Sequence, residues 1–180
     1  MANWTFITMS SELRVDKIIP TGGVPTGGGG GIIQIKNTLK TDQFSTTSTS
    51  FTDITGLSVT ITAQSSSNKF YISCMVFANC QDSAVLRFVK DGTVIAAGTV
   101  STDGNPANFQ GFAFVRNNST SSGGCYGISF LDSPADTSPH TYKVQGLSEN
   151  GSSYPLGINR RVAGTGFSLS SSITAMEVSA

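Results

Sequence analysis

From Ile32 onward, apolar and polar residues alternate with a period of two rather than 3.6. Residues 51–63 carry Ile54, Leu57, Val59 and Ile61 with Thr and Ser between them, the pattern of a half-buried strand. Residues 69–80 are the strongest strand. Phe70, Ile72, Cys74, Val76 and Ala78 line one side, and Tyr71, Met75 and Phe77 line the other. A strand that is apolar on both sides is covered on both, by a second sheet and by either a loop or another subunit. Residues 84–90 and 93–99 flank Asp91-Gly92, a dipeptide that adopts the positive φ values of a type I′ hairpin turn. Shorter strands are expected at 32–36, 108–116 (Phe112 and Phe114 on one face), 126–131, 140–147 and 172–178. Polar loops separate them at 41–50, 64–68, 102–106, 117–124 and 132–139. Short strands punctuated by turns about every 8–12 residues predict an all-β fold, an antiparallel β-sandwich or jelly roll over 32–180.

The first 31 residues break this pattern. A short segment at 4–8 leads into 11–19, where Leu13 and Val15 alternate with charges, and then into Pro20-Thr21-Gly22-Gly23-Val24-Pro25-Thr26 and five glycines, Gly27 to Gly31. Holding five glycines in one conformation carries a large entropic cost. The expectation is an extended N-terminal arm that forms a strand by docking elsewhere, joined by a Gly-rich linker. Trp4, Phe6, Ile7, Leu13, Val15 and Ile18 are its docking side chains.

Composition narrows the functional classes. The 180 residues (18.7 kDa) suit one domain plus an extension, and only 12% are charged, against roughly 25% in a typical soluble protein. Eleven basic and eleven acidic side chains cancel, so no electrostatic footprint for nucleic acid is expected. No apolar run approaches the roughly 20 residues of a membrane span. Residues 1–11 lack the basic start and apolar core of a secretion signal.

Chemistry is sparse. His140 is the sole histidine and no G-x-S-x-G elbow is present, so nucleophilic catalysis has no signature. Three cysteines and one histidine lack zinc spacing, and the glycine run lacks the Gly-Lys-Ser/Thr of a phosphate loop. Asp132 and Asp136 sit in a Pro-rich turn, where Asp commonly bonds the turn backbone. Cys74 and Cys80 are about 20 Å apart in one strand, too far for a disulfide. They and Cys125 read as small buried hydrophobes, with a cross-strand bridge from Cys125 to Cys74 or Cys80 as the alternative. No enzyme activity, cofactor or metal is expected.

Four stretches carry a resemblance. Residues 11–18 (SELRVDKI) resemble the short N-terminal segment of many tailed-phage fibre-like proteins, and 44–59 (FSTTSTSFTDITGLSV) the opening of their β-sandwich domain. Residues 131–134 (LDSP) with 141–145 (TYKVQ), and 172–178 (SITAMEV), resemble a recurrent internal motif and a C-terminal strand. The chain as a whole is similar to small virion proteins of marine and freshwater bacteriophages, cyanophages in particular. The resemblance implies a homotrimer on the virion, assembled in the host cytoplasm and released by lysis. Tyr71, Met75 and Phe77, or Phe112 and Phe114, would then lie between subunits. The long shaft of repeats common in fibre proteins is absent from this chain, which leaves two roles. One is a short tail fibre or tip whose arm docks on other virion proteins and whose loops, with Asn105, Asn108, Asp136 and Tyr154, meet a host-surface glycan or protein. The other is a capsid cement or decoration protein held by its arm. A cellular TNF- or C1q-like ligand would share the fold but needs a secretion route.

Overall fold

The computed structural model describes residues 31–99, 109–161 and 169–180. The arm residues Trp4, Phe6, Ile7, Leu13, Val15 and Ile18 lie outside these, as do Asn105 and Asn108.

Eleven strands appear among the described residues: β1 (Ile32–Lys40), β2 (Phe44–Thr46), β3 (Thr52–Thr62), β4 (Lys69–Asn79), β5 (Ala84–Lys90), β6 (Thr93–Ile95), β7 (Ala113–Val115), β8 (Gly124–Asp132), β9 (Pro139–Ser148), β10 (Leu156–Ile158) and β11 (Ser171–Val178). They form two antiparallel sheets. One runs β1-β11-β4-β8, with β10 and β2 continuing beside the end of β4; the other runs β3-β9-β5, with β6 and β7 side by side on β5. The wiring is that of a jelly roll. A long antiparallel ribbon pairs β1 with β11, β3 with β9, β4 with β8 and β5 with β6, and folds over on itself. The Asp91-Gly92 turn is the tip of that ribbon, with φ of +50° and +87°, as a type I′ turn requires.

The predicted strands appear in order; the first extends to Lys40, the one expected at 93–99 ends at Ile95, and three further differences have physical causes. Ile54 and Leu57 are three residues apart, which strict alternation would put on opposite faces; the pairing with β9 shifts between Asp53 and Ser58, where Gly56 takes a φ of +83°. This bulge lets Ile54, Leu57, Val59 and Ile61 all enter the core. The Ser/Thr-rich loop contains β2, and β10 was not foreseen; both have only three residues, too few to show a period. The strand expected at 108–116 shrinks to Ala113–Val115, because the chain bends at Gly111 and Phe112.

The core fills the space between the sheets, with Phe70, Ile72, Val76, Leu86, Phe88, Tyr142, Val144 and Ile173 all fully buried. Phe70 meets Tyr142 edge-on at 6.2 Å. The Tyr142 hydroxyl donates to Asp132, which also pairs with Lys90 at 2.6 Å. The thiols divide: Cys74 and Cys80 are buried in this core, Cys125 is exposed, and all three are free, so the expectation of a buried Cys125 is corrected. Cys125 stands opposite Phe77 on the outer side of the sheet, whereas Cys74 points inward. Burial pushes the Cys74 thiol up to about 12. Cys125 is therefore expected to react with a thiol reagent ahead of the other two, which should become reactive only on global unfolding; a time course of labelling followed by mass spectrometry reads this directly.

Candidate functional site

The outer face of the β1-β11-β4-β8 sheet is the most unusual surface among the described residues. The pairing registers place its side chains in rows. One row crosses all four strands as Ile35, Met176, Tyr71 and Leu131; the next holds Asn37, Thr174, Ser73 and Ser129; the third holds Leu39, Ser172, Met75 and Gly127. None of these twelve side chains is charged. Ile35 (55%), Leu39 (60%), Met75 (51%) and Leu131 (55%) are exposed, far more than large apolar side chains on a sheet normally are. Within the polar row the Asn37 amide donates to Thr174 Oγ1 at 2.7 Å.

The cause is a reversal of polarity in β1. Its outer side carries Ile32, Ile35 and Leu39, while its inner side carries Gln34, Thr38 and Lys40. Those inner groups are committed to the body. Gln34 donates to the Thr62 carbonyl and to Glu177, Thr38 to the Ser58 carbonyl, and the buried Lys40 ammonium pairs with Asp42 at 2.8 Å. β1 therefore cannot turn its apolar side inward without stranding these polar bonds. Four strands spaced by about 4.8 Å and eight residues of about 3.3 Å give a face of roughly 500 Å² in projection. Its accessible area is larger, within reach of the ~800 Å² per partner of a standard interface.

The expected interface residues fall in different places. Tyr71 and Met75 lie in this face. Phe77 lies at its margin and rests over Gly123, where even a methyl group would collide with the ring. Phe112 and Phe114 do not share a face: Phe112 turns inward onto Phe88, ring centroids 5.3 Å apart, and Phe114 stands on the outer side of the other sheet with Val85, Phe109 and Glu149. The alternation misled because the chain bends just before β7. Ile35, Leu39, Leu131 and Met176 were missed; the available signal was that Leu39 and Lys40 extend the first strand with the wrong polarity for a core.

The two ends of the sandwich differ. Gly31 bonds to Ser179, so the described chain begins at the end, here called proximal, that also holds the 64–68 turn, the Asp91-Gly92 tip and the 133–138 loop. Asp136 is at this proximal end, where it and Asp91 flank the ring nitrogens of His140 at 3.1 and 2.7 Å. The Ser138 backbone N–H foremost, with His140, holds the Asp136 carboxyl below its ordinary range. Asp132 faces Lys90 and Tyr142 instead, so the two carboxylates do not form an acid–base pair. Tyr154 is at the opposite, distal end, its carbonyl accepting from Ser148 and from the Cys80 thiol. His140 and Ser148 bound most of β9, so about 27 Å separates these ends and Asp136 and Tyr154 do not form one site. The distal end instead gathers Asp82, bonded by Asn150 and paired with Arg116 at 3.5 Å, and Asn118, which accepts from Arg116. Only the fold brings these loops together. No group of three or more His, Cys, Asp or Glu suited to a metal occurs among the described residues. No family model and no curated protein matches the sequence.

Proposed function

We propose that this chain is a non-enzymatic structural protein of a bacteriophage virion, a short trimeric tail fibre or tip. Its arm docks on the particle and its jelly roll faces the host. The reversed polarity of β1 carries the reading. A neutral, partly apolar face with no charge to guide a foreign partner suits further copies of the same chain, which is what the trimer needs. The four-stretch resemblance supplies the virion setting and the three-fold symmetry. Because the arm leaves at the proximal end, the distal end faces away from the particle. The host-facing groups are then Asp82, Arg116, Asn118, Asn150 and Tyr154, and Asp136 belongs to the docking side.

Electron microscopy of virions carrying a label on this chain tests the assignment. Label at the tail supports the fibre reading, label scattered over the shell replaces it with capsid decoration, and unlabelled particles overturn both.

A further inference from the structure

We propose that the free edge of β8 is a strand-docking site and that residues 11–19 of this chain are its occupant, adding a strand to the larger sheet. Two observations point to a covering strand. First, among the described residues no strand pairs with the outer edge of β8. Its nine residues pair with β4 without a register shift and contain no proline, lysine or arginine. Elsewhere the edges are blunted: β1 by a register shift and by Lys36 and Lys40, β3 by the Gly56 bulge, and β2, β6 and β7 by being three residues long. A long, regular edge whose one charge, Asp132, is taken up by Lys90 is an open template for pairing. Second, the core is uncovered beside it. Tyr126, Ile128 and Phe130 point inward from β8 yet stay only half-buried, whereas Phe70, Ile72 and Val76 of the neighbouring β4 are fully buried.

The sequence 11–19 fits that vacancy in kind. Leu13, Val15 and Lys17 would share one side of a strand, the two apolar side chains over the exposed flank of the core and the Lys17 ammonium toward its proximal rim, with Glu12, Arg14 and Asp16 outward. The reach also fits. From β1 to a strand added beyond β8 is four strand spacings, about 19 Å, and the eleven residues 20–30 span about 18 Å on average as a Gly-rich chain and more when extended. Because residue 31 sits at the proximal end, where β8 finishes, a strand ending at Ile19 runs parallel to β8. With Ile19 beside Asp132, Glu12 falls beside Cys125. The segment 4–8 remains for the particle, so this docking stands or falls apart from the virion assignment.

Cys125 makes the test direct, since Cys74 and Cys80 are buried. Single cysteines are placed in the full-length chain from Ser10 to Ile19, with Thr26→Cys as the linker control, and oxidised mildly. Disulfide yield to Cys125 should peak at Ser11 to Leu13, at least tenfold above the control. Bonds within a chain and between copies both support docking. A flat scan, or yields no higher than T26C, overturns it. In parallel, hydrogen exchange of residues 124–132 should rise at least tenfold in the full-length L13D/V15D variant, and unchanged exchange there also overturns the proposal.

Discussion

Glu177→Ala is expected to lower the stability by about 4 kcal/mol, or roughly 12 °C in the unfolding midpoint of a chain this size. Glu177 is fully buried on the core side of β11, and none of the ion pairs among the described residues includes it. Neutral donors hold it: the Gln34 side chain at 2.6 Å, the Asn68 side chain at 2.6 Å and the Gln64 backbone N–H at 2.7 Å. One carboxylate thus ties β1, the 64–68 turn and β11 together at the proximal end, where Gly31 lies. Alanine strands all three donors, and charge-assisted hydrogen bonds of this kind contribute about 1.5–3 kcal/mol each. The estimate is kept below their sum because the turn can relax toward water.

The pH dependence follows the same bonds. Burial alone would raise the carboxyl, but the hydrogen bonds from Gln34, Asn68, Gln64 and Ser65 outweigh it and hold Glu177 below the ordinary value of 4.5. The unfolded chain therefore binds the proton more readily than the folded one. The contribution is fully present above the ordinary glutamate range and is lost as pH falls through the folded value. Urea unfolding at pH 7 should show the full deficit of the alanine variant, and at pH 3 a smaller one. A deficit under 1 kcal/mol at pH 7 would show that the cradle is not a structural tie.

Charging the neutral face should have the second large effect. Native protein is expected to sediment at about three times 18.7 kDa, and Tyr71→Glu combined with Met75→Glu to reduce it to the monomer. An unpaired buried charge costs about 3–5 kcal/mol, so weakening of association by at least ~10³-fold is expected. Both side chains point away from the core, and the far-ultraviolet circular dichroism should stay that of the native sheet. Phe114→Lys, on the opposite sheet, should leave the mass unchanged. A native chain that sediments as a monomer at every concentration, or a trimer indifferent to both glutamates, would remove the basis for the proposed assembly.

Much of the fold was legible because period two is a local property. Strands of seven or more residues announce their faces through their own side chains, as β4 and β9 do, and the Asp91-Gly92 tip is specified by its dipeptide. The short strands β2 and β10 escaped because three residues hold no period and their pairing depends on distant neighbours. The face was half legible. Tyr71 and Met75 betrayed themselves by making β4 apolar on both sides, but β1 did not, since a strand with one apolar side reads equally well with that side inward.

Which way β1 faces depends on groups outside the strand: the carbonyls of Ser58 and Thr62 and the buried carboxylate of Glu177, all distant in the chain, with Asp42 nearby holding Lys40. The amino-acid order by itself determined the all-strand character of the body and the position of its hairpin tip, because each rests on interactions between near neighbours. Only the tertiary structure decided which residues face outward across four strands, which edge is left open, and which loops share an end. Those are consequences of pairing between segments up to 148 residues apart, and burial of a polar group is settled only by the partner it finds there.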